Sequence, residues 1–85
     1  MGNRIQVRYR AQLANLTGAG QERVEAADVK EVLRHFKKKY GAAAEKTAKT
    51  MLIAVNGESI LQLKVYKTGL REGDELSFLP ICGGG

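Results

Sequence analysis

Most residues in this sequence that could do chemistry lack the neighbours that chemistry requires. His35 is the only histidine and Cys82 the only cysteine, and they stand far apart in the chain. A metal site of nitrogen and sulfur ligands therefore lacks its members. A nucleophilic Cys-His pair would need an orienting pocket, which so short a chain has little material to build. Gly18-Ala19-Gly20 does not form a phosphate loop, because no Lys-Ser/Thr follows it and no helix opens there. Asp74 and Glu75 read as turn and strand-edge residues rather than an acid–base pair. What remains is the end of the chain, "FLPICGGG", residues 78–85. Glycine loses more conformational entropy on folding than any other residue and offers nothing to pack. Three of them beside the carboxylate are poor material for a fold.

The elements that would hold this end can be read from periodicity. In "RIQVRYR", residues 4–10, Ile5, Val7 and Tyr9 alternate with polar residues, the pattern of a half-buried strand. "AQLANLTGAGQE" follows as a long connection with a glycine-marked turn. "ERVEA", residues 22–26, returns as a second strand. Asp28 opens a helix, and Glu31 stands at capping-box spacing. Val29, Val32, Leu33, Phe36 and Tyr40 form one apolar stripe. Lys37, Lys38 and Lys39 suit the negative end of that helix, and Gly41 suits its C′ position. Residues 42–50 have no strong apolar face and read as a loop with at most a helical turn. "MLIAVNG" is a strand running into an Asn56-Gly57 turn. A short edge strand is expected around residues 59–65. A final strand runs from Glu75 to Leu79, stopped by Pro80, which has no amide for the ladder.

Composition narrows the classes of function. A chain of 85 residues is one small domain with a modest core. It has no Trp and only three Tyr and two Phe, so a site shared with a partner is expected rather than a deep pocket of its own. A single cysteine excludes an internal disulfide framework. No apolar run approaches the ~20 residues that span a bilayer, and the start lacks the apolar stretch of a signal peptide. Met1-Gly2-Asn3 is not followed by the Ser or Thr that a myristoylation motif places at the sixth position. A cytoplasmic location is expected. The net charge is +5, much of it in "RHFKKKY", residues 34–40. Such a run usually forms a solvated helix face. Its sharper reading is a docking patch for an acidic partner or nucleic acid.

"YRAQLANLTG" after the first strand, "AVNGE" in the middle, and "LREGDELSFLP" before a terminal Gly-Gly together resemble the MoaD/ThiS-type sulfur carriers. The closest similarity is to the small subunit of molybdopterin synthase. The most specific parts are Gly73 to Pro80 and the Gly84-Gly85 end. The resemblance implies an α+β, ubiquitin-like β-grasp fold. A mixed sheet of four to five strands would pack on one main helix, with the first and last strands adjacent at its centre. Residues 1–80 would form the domain and 81–85 a flexible tail. It implies a carrier and not an enzyme. An E1-like adenylating enzyme of the MoeB/ThiF type would activate the Gly85 carboxylate with ATP, and a sulfurtransferase would supply sulfur to give a thiocarboxylate. The large subunit of molybdopterin synthase would then use that sulfur on a pterin precursor. No cofactor would be bound permanently, and neither membrane nor nucleic acid is an expected partner.

The physical logic agrees with that resemblance. A carboxylate is a poor electrophile and an acyl-adenylate a good one. Gly83 and Gly84 would thread a narrow channel with Gly85 at its end. Residues 80–85, if extended, reach roughly 20 Å at about 3.3–3.6 Å each. Partner binding is assigned to Phe78, Leu79, Pro80, Ile81 and Cys82. With Leu76 and Phe78 facing the core by period two, Leu79 becomes an apolar anchor at the base of the tail. Cys82 could trap sulfur as a persulfide, but it reads better as a small apolar residue. Two other readings stand beside this one. A ubiquitin-like modifier, or a carrier for tRNA thiolation, thiazole or cysteine synthesis, would need the same activated carboxylate. A small basic RNA-binding module would explain the charge, but the chain has few aromatics to stack bases.

Overall fold

The computed structural model describes residues 2–10, 12–18 and 20–80. Strand β1 (Asn3–Arg8) turns Ile5 and Val7 inward and Arg4, Gln6 and Arg8 outward. Strand β2 (Gln21–Ala26) runs antiparallel to it, with Val24 opposite Ile5. Strands β3 (Leu52–Val55), β4 (Glu58–Ser59) and β5 (Glu75–Leu79) complete a five-stranded sheet in the order β2-β1-β5-β3-β4. β1 and β5 pair in parallel, and the other pairs are antiparallel. The first and last strands are therefore central neighbours, as the resemblance implies. This is the ubiquitin-like β-grasp arrangement.

One face of the sheet is covered by helix α2 (Val29–Tyr40), whose Val29, Val32, Leu33 and Phe36 are buried. Its start is held as the capping residues require. Asp28 accepts from the Glu31 amide at 2.8 Å, and the Glu31 carboxylate accepts from the Ala27 amide at 2.7 Å. Tyr9, Phe36 and Phe78 meet at the middle of the core, with ring centroids 5.5–6.0 Å apart.

Three connections differ from expectation. Residues 42–50 form a true helix, α3 (Ala42–Lys49), rather than a loop. Ala44 and Ala48 are buried one turn apart. Small alanines let α3 approach closely and favour helix, yet add too little hydrophobicity to mark a stripe. The 11–20 connection contains a short helix, α1 (Gln12–Thr17), because Leu13 buries itself completely in the core. The edge strand is only β4, two residues long. After it the chain turns into two 3-10 turns, Ile60–Gln62 and Val65–Lys67. The Ser59 hydroxyl accepts from the Leu61 amide at 3.2 Å and starts the first of them. Val65 sits at φ 53°, a left-handed conformation that a β-branched residue rarely adopts.

Candidate functional site

The segment before the tail is anchored by its own turn. Gly73, at φ 86°, donates its amide to the Arg4 carbonyl at 2.9 Å. Asp74 accepts from the Arg71 amide at 2.8 Å and from the Asn56 side chain at 3.0 Å. Asn56 in turn accepts from the Glu75 amide at 2.9 Å. Asp74 is a turn residue, as its sequence context suggests. The bonds tie the β3–β4 hairpin to the start of β5, so β5 enters the sheet in one register.

β5 is flanked on both sides. β1 pairs with it as far as Arg8 opposite Ser77, and β3 continues to Leu52 opposite Leu79. Beyond Ser77 one side of the strand is open, next to Tyr9. The outer face here carries Leu52 and Leu79, both half-buried, with Ala54 and Ser77 beside them. Arg8 closes one border through its ion pair with Glu75 at 3.0 Å. A cleft of about 420 Å³ lined by Arg8, Tyr9, Arg10, Gly20 and Gln21 lies at the same end of β1.

The assigned residues separate accordingly. Phe78 is 0% exposed. It stacks on Tyr9 at 6.0 Å and cannot itself touch a partner, so its assignment to partner binding is corrected to a core role. Alternation explains this, since Leu76 and Phe78 share the inward face. Leu79 is half-buried on the outer face and Pro80 is exposed, both open to a partner. Ile81, Cys82, Gly83, Gly84 and Gly85 lie outside the described residues. His35 is half-buried on α2, and among the described residues no group of His, Cys, Asp and Glu could hold a metal ion. Also among the described residues, no helix is long and apolar enough to cross a membrane.

Two features escaped the sequence reading. Leu52 joins Leu79 across the strand pair. The alternation in "MLIAV" held that signal, since Ile53 and Val55 face inward. The second is a polar cluster below the base of the tail. The Glu22 carboxylate accepts from the Tyr9 hydroxyl, from Tyr40 at 3.2 Å and from Lys39 at 2.7 Å. Burial alone would raise the Glu22 carboxyl, but these donors together hold it below its ordinary range. Burial first, and then donation to a carboxylate, push the Tyr9 hydroxyl well above its ordinary range. Lys39, in the basic run, is thus committed to an internal ion pair.

The model of the ThiS family matches residues 7–85. No curated protein sequence matches the chain. Small archaeal modifier protein 1 from Methanosarcina acetivorans is 23% identical and has a TM-score of 0.89, over 100% of this chain and 99% of its own. A chain of the BexX/CysO complex from Amycolatopsis orientalis is 20% identical over 95% of this chain and 99% of its own, with a TM-score of 0.82. A chain of the complex between subunits 1 and 2 of molybdopterin-converting factor from Helicobacter pylori is 24% identical. It covers 96% of this chain and 99% of its own, at a TM-score of 0.70. These likenesses show a shared fold. With nearly the whole sequence matched, the chain belongs to the ThiS family of ubiquitin-like sulfur carriers.

Proposed function

We propose that the chain is the sulfur-donating small subunit of a molybdopterin synthase, with the Gly85 carboxylate as its chemical site. The carboxylate attacks the α-phosphorus of ATP on an E1-like enzyme and releases pyrophosphate. The persulfide of a sulfurtransferase then attacks the acyl carbon and AMP leaves, and a thiol reductant cleaves the resulting acyl disulfide to release the thiocarboxylate. The large synthase subunit takes that sulfur into a pterin precursor. The chain holds no permanent cofactor and performs no catalysis itself.

The observation that carries this reading is the mounting of β5. A central strand, paired with β1 as far as Ser77 and with β3 as far as Leu79, ends at the Leu52–Leu79 pair and Pro80. Residues 81–85 follow that point in the chain, so the partner has a rigid base to grip and a side-chain-poor segment to admit. Seating residues 81–85 in a partner costs conformational freedom, and Leu79, Leu52 and Pro80, with Ile81 and Cys82, would supply compensating contact. Gly83 and Gly84 give the acyl carbon an approach free of Cβ atoms.

Intact-mass measurement after incubation with an E1-like enzyme, ATP and a sulfur source tests the first half. A gain equal to sulfur replacing one oxygen is expected, and Cys82→Ala should preserve it. Adding the large subunit and precursor should then return the original mass. Isolation of the protein as amide conjugates on target lysines would instead establish the modifier reading.

A further inference from the structure

The run "RHFKKKY" does not act as one patch once folded. Lys39 turns to Glu22, whereas Arg34 and Lys37 turn to the opposite side of α2 together with Lys30. The spacing i, i+4, i+7 places these three on one helix face. That face forms one wall of a cleft of about 420 Å³, which Lys49 of α3 and Lys67 of the second 3-10 turn also line. Five cations thus face a single carboxylate, Glu45. None of the five forms an ion pair among the described residues. Leu33 and Tyr66 supply the apolar part of the lining.

The aromatic content decides which polyanion fits. Tyr9, Phe36 and Phe78 are buried, and Tyr40 is half-buried against Phe36. Tyr66 is the one ring open to the cleft, and the Lys49 ammonium already lies 5.7 Å from its centroid. A single-stranded nucleic acid would find phosphate contacts here but no platform for successive bases. A polypeptide needs carboxylates against the cations and one apolar side chain against the lining, and both are matched. Val65 beside Tyr66 is partly exposed too, at a left-handed backbone position. Exposed apolar residues rimmed by charge are the usual make-up of a protein interface.

We propose that this cleft docks an acidic segment of a partner protein. Its carboxylates meet Lys30, Arg34, Lys37, Lys49 and Lys67, and an apolar side chain lies between Leu33 and Tyr66. The cleft shares no residue with β5, Leu52 or Pro80. Its lining is therefore separate from the face at the end of β5, and the proposal is independent of the sulfur chemistry proposed above.

The test is an amide NMR titration of the full chain with a short glutamate-rich peptide carrying one central Phe. The same peptide with Ser for Phe, and an oligouridylate of equal charge, serve as comparisons. Shifts should concentrate at residues 30–37, 45–49 and 65–67, and the Ser peptide should bind several-fold more weakly. The double variant Arg34→Glu/Lys37→Glu should lose about tenfold or more in affinity. Lys38→Glu/Lys46→Glu, with the same change in net charge outside the cleft, should lose no more than about threefold at physiological salt. All four positions are exposed or line the open cleft, so circular dichroism should show every variant folded. Equal losses from the two pairs would mean diffuse charge attraction and overturn the proposal. So would shifts located elsewhere, tighter binding of oligouridylate, or no peptide binding at low salt.

Discussion

Phe78 and Leu79 are adjacent in the chain but face opposite ways, so substituting each should disturb a different property. Phe78→Leu keeps the inward position apolar but removes part of a ring that is 0% exposed. At about 0.8 kcal/mol per buried methylene, the lost carbons cost roughly 2 kcal/mol. The ring also packs against Tyr9 and Phe36, each at 6.0 Å, and such pairs are worth about 0.5–1.5 kcal/mol apiece. The sum is about 3–5 kcal/mol, within the range measured for trimming buried rings. With a urea slope of about 1 kcal/mol per molar for so small a chain, the unfolding midpoint should fall by about 3–5 M. Leu79→Glu should move that midpoint little, because the side chain is half-buried on the outer face. It should instead weaken binding to the large synthase subunit by tenfold or more, since interface anchors typically contribute about 2 kcal/mol. Urea unfolding and calorimetric titration on the same samples provide both readings. If Phe78→Leu weakened binding beyond its loss of folded protein while Leu79→Glu did not, the assignment of faces would be wrong.

One residue added after Gly85 should abolish thiocarboxylate formation in the mass assay while leaving the thermal midpoint unchanged, because the core cluster is already complete with Phe78 among the described residues. Stability should fall with acidification below about pH 4.3, where an unfolded glutamate takes up its proton while Glu22 and Glu72, both held low, still resist. Glu22→Gln should flatten that acid limb in pH-dependent unfolding. Stability should also fall as pH rises above about 10, since an unfolded tyrosine ionises there while Tyr9 keeps its proton. Val65→Gly should leave stability within about 1 kcal/mol of the parent, because relief of the left-handed backbone at φ 53° is offset by burial lost from a side chain only 37% exposed and by the freer glycine backbone. A larger fall in the unfolding midpoint for that variant would show that the valine is held by packing.

Much of the fold was legible because its signals are local. Ile5, Val7 and Tyr9 alternate, α2 carries a complete stripe with a capping pair, and Asn56-Gly57 marks a tight hairpin. α1 and α3 were not legible, because each depends on what it packs against. Leu13 and Leu16 make a single i, i+3 pair on so short a helix, of which only Leu13 is buried, and Ala44 and Ala48 become a packing face only when α2 lies beside them. The edge strand ended after two residues because side-chain bonds at Ser59 and the backbone at Val65 outweighed a weak strand pattern.

The candidate site divides in the same way. Residue types and order alone determined the Gly-Gly end, the inward pair Leu76 and Phe78, and the cationic balance. Alternation is a property of one strand, and charge is a property of composition. Tertiary structure decided that Leu52 stands beside Leu79, since strand register joins residues distant in the chain. It also decided that Lys39 is spent on Glu22 while Arg34 and Lys37 face an open cleft. The helix turns its successive side chains through 100° each, and only the packing of β2 on one side of α2 and of α3 and the 3-10 turn on the other gives those directions different partners.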